Sequence, residues 1–304
     1  MKNTKDFTSG SVLSALIKFA IPVLAAMFLQ SLYGGVDLLV VGQFASTADV
    51  SGVATGSQLM HTVTAVITGL SMGITVYVGQ KIGERKENEA GKAIGTGILF
   101  FMILGIAVSA FLVLCASLLS DLLHAPVEAY AQTCNYITVC GYGTLFICLY
   151  NLLGAIFRGI GDSKTPLLTV FIACICNIIC DLVFVAVLGM GATGAALATV
   201  LSQAVSVIIS VLIIRKKPLP FTFKKDYLRL NPKMLLMQLR LGTPIALQEL
   251  LVGISFLVIH TVVNSIDVIA SAGVGVAEKV CAFIMLVPSA FSQSMSAFVA
   301  QNIG

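Results

Sequence analysis

Four polar side chains stand inside apolar runs long enough to cross a bilayer: Asp37, Asn177, Asp181 and Thr199. Two carboxylates, an amide oxygen and a hydroxyl form a hard-oxygen set suited to a small cation such as Na+, or a pair of acids able to share one proton. Ionisable groups inside a membrane cost about 2.5–3.5 kcal/mol each on insertion scales, and they mark ion or substrate pathways. In a low dielectric two neighbouring carboxylates cannot both stay ionised cheaply, so the pair reads as a proton or sodium switch. The plainer alternative is two acids satisfied separately by backbone or hydroxyl partners. Glu249 and Glu278 are further acids in apolar surroundings and are expected to line a cavity. Lys279 next to Glu278 offers it a local counter-charge.

The elements that must hold these residues are long helices. Hydrophobic residues make up 58% of the chain and charged ones 11%, against roughly one quarter charged in soluble domains, so a water-soluble fold is excluded. The expectation is an all-α polytopic membrane protein of eight helices, near 13–44, 51–80, 91–120, 127–157, 165–188, 193–215, 234–264 and 271–303. Of eighteen basic residues, all but Lys279 fall at the chain start or at the connections after the second, fourth and sixth helices. Arg158 and Lys164 are counted there as following the fourth helix. Short loops rich in Lys and Arg stay in the cytoplasm, so the N-terminus is expected inside, in the cell membrane. The net positive charge is then topological, which leaves a nucleic-acid partner without support.

With that topology Asp37, Asp181 and Thr199 all fall about 10 Å below the outer surface, at 1.5 Å per residue. Asn177 lies one turn before Asp181, on the same face.

The chain also repeats itself. Leu16–Gly83 returns as Leu239–Gly304, with Pro22 echoed by Pro244 and Val78-Gly79-Gln80 by Val299-Ala300-Gln301. Transporters are often built from such repeats. The domain reading is an N-lobe of six helices over 1–215, a cytoplasmic linker over 216–233 and a partial C-lobe of two helices over 234–304. Small residues at helix-packing spacing, including Gly69 with Gly73, Gly79 with Gly83, and Ala198, Ser202, Ser206 and Ser210, read as close helix contacts. The eight cysteines lack metal-ligand or CxxC spacing and read as packing. No metal site, nucleophile elbow or phosphate loop argues for an enzyme.

Together, Val36-Asp37-Leu38, Gly69-Leu70-Ser71-Met72-Gly73, Asn177-Ile178-Ile179-Cys180-Asp181 and above all Arg158-Gly159-Ile160-Gly161-Asp162-Ser163-Lys164-Thr165-Pro166 resemble the multidrug and toxic compound extrusion (MATE) transporters. The resemblance covers the whole chain. It implies two six-helix lobes and export of organic, amphipathic cations by antiport against Na+ or H+, through alternating access. It also implies no cofactor beyond the coupling ion, lipid surroundings and a monomer. By position it implies a cation site at Asp37, Asn177, Asp181 and Thr199, and cavity-lining roles for Tyr33 and Asn151. Four helices of a second lobe are missing from the pattern. The alternatives are a lipid-linked precursor flippase of the same wider superfamily, which would need basic cavity residues, and a non-transporting truncated fragment.

Overall fold

Apolar runs this long form helices because no other single segment satisfies its own backbone in lipid. The computed structural model describes residues 11–216, 224–264 and 268–304. The first half of the basic connection and the Glu278 side chain lie outside the described residues. Nine α-helices are present among those described: α1 Val12–Phe44, α2 Thr47–Gly83, α3 Glu87–Leu114, α4 Ala116–Leu122, α5 Tyr130–Gly159, α6 Lys164–Asp181, α7 Gly191–Lys216, α8 Pro232–Asn264 and α9 Val268–Ile303. No strand occurs among them. The helix expected over 91–120 breaks at Cys115, whose φ of −104° and ψ of 12° leave the helical region, so α4 is a separate short piece.

Among the described residues seven helices are long and apolar enough to cross a membrane. Eight were expected: α8 is helical where the eighth was placed, but its described part, carrying Arg240, Gln248 and Glu249, is not among the seven. Leu39, Leu114 and Ile106 are 72%, 81% and 59% exposed, while Ser71, Thr75, Thr144 and Ser206 are fully buried. Large apolar side chains thus face outward and small polar ones inward, as in a multi-pass membrane protein whose solvent is lipid.

The helix ends show which loops share a surface. Ser46 and Asp49 form a reciprocal capping box at the start of α2. The other Asp49 oxygen accepts the Ala192 backbone N–H at the start of α7, at 3.0 Å, so one carboxylate satisfies two helix N-termini. Asp49→Ala should therefore cost about 1–2 kcal/mol, read as a lower midpoint of thermal unfolding in detergent.

At the opposite surface α5 closes in a Schellman turn: Gly161 N–H donates to Arg158 C=O at 3.0 Å and Asp162 N–H to Phe157 C=O at 2.8 Å. Gly161 takes a φ of +84°, a conformation open to glycine. The Asp162 carboxylate then accepts the backbone N–H groups of Lys164 and Thr165, both at 3.1 Å, and the Thr165 hydroxyl at 2.5 Å. The Arg-Gly-Ile-Gly-Asp-Ser-Lys-Thr-Pro run is thus a helix stop and a helix start joined in one turn.

On this same surface Glu84 lies 2.8 Å from Lys86 Nζ and 3.0 Å from Lys81 Nζ. The hydrogen bond from Lys86, then that from Lys81, holds its carboxyl below the usual range. The described half of the basic connection packs back onto α3. Tyr227 donates to Asn88 Oδ1 at 3.0 Å, the Thr96 hydroxyl to Arg229 C=O at 3.0 Å, and Gln238 to Ala93 C=O at 2.8 Å.

The two copies of the repeat pack crosswise, α2 along α8 and α1 along α9. A Cβ at Gly73 would sit 2.7 Å from Gly242 N, and one at Gly69 2.5 Å from Ala246 Cα. Near the basic loops Gly83 lies on Gln301 backbone while Gly304 lies on Gln80 backbone. These are repeat-equivalent pairs, so a local two-fold relates the copies at that end. Further along the contact loosens: the Cβ position of Gly253 reaches Thr62 only at 3.7 Å, and Leu247, Leu251 and Val258 are 52%, 54% and 56% exposed.

Candidate functional site

The structure brings Asp37, Asn177, Asp181 and Thr199 together from three helices. Asp37 comes from α1, Asn177 and Asp181 from α6, and Thr199 from α7. The helices meet because α6 packs on both α1 and α7, and the run Ala198, Ser202, Ser206 lets α7 approach closely, the Ser206 hydroxyl reaching Thr169 C=O of α6 at 3.3 Å. Asp37 is 6% exposed, Asn177 and Asp181 not at all.

Their hydrogen bonds are incomplete. The Thr199 hydroxyl donates to Asp37 Oδ2 at 3.2 Å, and Asp37 faces Asp181 and Asn177. Asp37 Oδ1, both Asp181 oxygens and Asn177 Oδ1 are buried with no donor, and the Asn177 Nδ2 is buried with no acceptor. Buried polar groups are nearly always satisfied, so four orphaned acceptors converging on one spot call for an explanation. A hard cation or an added proton would satisfy them, since each supplies the positive charge or donor the acceptors lack. Among the described residues no three His, Cys, Asp or Glu side chains gather as metal ligands, so a bound cation would rest on this mixed set of carboxylate, amide and hydroxyl oxygens.

Immediately after Asp181 the chain runs through a π turn, Leu182–Val187. Such wide turns are rare and concentrate at functional sites.

Tyr33 faces Asp37, Gln203, Tyr150 and Cys174, which puts it beside the acid pair. Asn151 is 8% exposed and already engaged: Thr68 Oγ1 donates to its Oδ1 at 2.9 Å, and its Nδ2 donates to Ile147 C=O at 2.9 Å. It joins α2 to α5 and does not touch the acids. Glu249 is exposed on α8, apart from the set. Two neighbours escaped the sequence reading. Gln203 lies one turn beyond Thr199 on the same face, a spacing that could have flagged it. Tyr136 of α5 is 3% exposed and lies within electrostatic reach of both Asp37 and Asp181, but nothing in its local sequence separates it from a packing tyrosine.

The MatE family model matches residues 22–183. The chain is 28% identical over 99% of its length to "Probable multidrug resistance protein YoeA" of Bacillus subtilis, covering 66% of that protein. It is 22% identical over 97% of its length to "Multidrug export protein MepA" of Staphylococcus saprophyticus, again covering 66%. It thus spans about two thirds of the length of the curated relatives it matches. Among solved structures, a MOP superfamily transporter from Pyrococcus furiosus superposes with a TM-score of 0.91 at 22% identity, over 100% of this chain and 69% of that one. An outward-facing multidrug resistance MATE family transporter gives 0.90 at 22% identity, over 98% and 67%. These likenesses establish the fold.

Proposed function

Because the chain belongs to the MatE family, we propose that it is the larger part of a multidrug exporter that moves organic, amphipathic cations out of the cell in exchange for an inward cation, H+ or Na+. One observation carries the coupling: the buried Asp37 and Asp181 carboxyls face each other with three oxygens lacking a donor. A proton or Na+ entering from outside would fill that deficit. It would draw α1 toward α6 and so favour one packing of the bundle over another. The shift can be no larger than the ion's differential affinity for the two packings.

In this reading residues 1–215 form one lobe, 216–233 a cytoplasmic connection and 234–304 the start of a second lobe. The protein sits in the cell membrane with its N-terminus on the cytoplasmic side, a reading supported by the described basic loops gathering at one end of the helices. The lobes rock about a central cleft. Their close contact at the basic end, with looser packing beyond, corresponds to a state closed on the cytoplasmic side. Glu249, exposed on α8, would face the cleft from the second lobe, and Tyr33 from the first.

The test is ethidium efflux from a pump-deficient bacterial host expressing the natural full-length chain, with sodium and pH gradients imposed separately. Efflux driven by one gradient is expected and names the coupling ion. Saturable efflux indifferent to both gradients would remove the antiport reading.

A further inference from the structure

A half-buried charge of opposite sign lies in the same bundle. Arg158 belongs to the last turn of α5, where the sequence reading had counted it with the basic loop. Its guanidinium does not reach out to that loop. A Cβ placed at Gly154 would lie 3.2 Å from Arg158 Nη1, so the side chain folds back over the preceding turn, toward the N-terminal half of α5, as helical side chains lean. Long basic residues near a helix end usually extend to the polar interface; this one turns into the bundle. Gly154 makes that path possible, because any side chain there would meet the guanidinium.

Among the described residues the group has no ion-pair partner. Its Nε is buried and unbonded, and no carboxylate acts on it among the described residues, its one charged or polar influence being Tyr150. Tyr150, two turns earlier on the same face, accepts a hydrogen bond from Gln30 of α1 at 2.7 Å and lies near Tyr33, which in turn faces Asp37. Gln30 precedes Asp37 by seven residues, about 10 Å along α1. A polar line therefore runs from the acid pair through Tyr33 and Tyr150 to the Arg158 guanidinium, with Gln30 bonded to Tyr150 at its side.

A half-buried guanidinium that no carboxylate engages among the described residues keeps donors to offer, and its fork of donors fits a carboxylate in two parallel bonds. We infer that Arg158, with the Tyr150 hydroxyl, forms a subsite for the carboxylate of an amphipathic organic substrate, so that zwitterions carrying a cationic ring and a carboxylate are bound as well as simple cations. The inference rests on the exporter reading above for the cleft that the substrate would enter.

Rhodamine B, a zwitterion, and its ethyl ester, a cation with the same ring system, separate the two ideas. Their binding to the detergent-purified full-length protein is followed by fluorescence polarisation. Arg158→Gln should weaken rhodamine B about tenfold or more, the loss of a charge-assisted bond, and leave the ester within twofold. Arg158→Lys should recover part of the loss. Equal weakening of both dyes would overturn the subsite in favour of a packing role. No weakening of either would mean that the protein supplies its own anion. Selective displacement of rhodamine B by micellar phosphatidylglycerol would assign the guanidinium to a lipid phosphate instead. If the unsubstituted protein binds the ester but not rhodamine B, the exporter reading stands and the subsite falls; saturable binding of neither dye removes both. Unchanged gel-filtration elution of the variants shows that they are folded.

Discussion

Asp181→Asn should lower drug efflux to the level of cells lacking the protein, while the variant reaches the membrane in normal amount and unfolds at a higher temperature. The two effects have one cause. Asp181 has no exposed surface, and neither of its oxygens meets a donor. An amide of the same shape brings its own donors and cannot ionise, so it removes a cost of about 1–3 kcal/mol that the carboxyl imposes on the fold. It also imitates the proton-loaded state permanently, and a switch that cannot change state cannot couple. Asp37→Asn should abolish efflux equally but raise stability less, because Asp37 already accepts the Thr199 hydroxyl at 3.2 Å. Ethidium accumulation, membrane blotting and thermal unfolding in detergent read these outcomes. Normal efflux by both variants would dismiss the acid pair as the coupling site.

The second large effect is on assembly. Gly73→Leu should destabilise the chain by about 3 kcal/mol or more, far beyond the roughly 1 kcal/mol typical of a point change. The first added carbon would stand 2.7 Å from Gly242 N and 3.0 Å from Gly242 Cα, and closer still to the Gln238 carbonyl. All of these are backbone atoms, so no side-chain rotation relieves the clash, and α2 must part from α8. Gly42→Leu is the control: nothing lies within 4 Å of its Cβ position, and it should change stability by about 0.5 kcal/mol or less. Thermal unfolding of both variants decides the matter. Equal melting points would mean that the α2 and α8 contact contributes little.

The helices were legible because a bilayer makes severe demands: α1 begins and ends within a residue of the expected 13–44, and α8 within two residues of 234–264. The meeting of Asp37 with Thr199 was legible from counting residues inward from one surface, since helical rise converts sequence distance into depth. What depends on side-chain direction was not. Arg158 and Lys164 both stood near a loop in the sequence, and only the bend over Gly154 distinguishes the first. Glu249 depends on packing partners from distant chain segments, which no local pattern specifies. The π turn after Asp181 escaped because one extra residue in a turn leaves the apolar run unbroken.

The shared carboxylate of Asp49 has a mechanical consequence. By holding the first turns of α2 and α7 at once, it opposes sliding of these two helices past each other at that rim. No comparable tie joins α1 to α6 there among the described residues, and α6 ends in the wide turn Leu182–Val187. At that rim the ends of α2 and α7 are therefore tied to each other, while the ends of α1 and α6, the pair that carries Asp37 and Asp181, are not. Movement of α1 against α6 is thus less constrained at that rim than movement of α2 against α7.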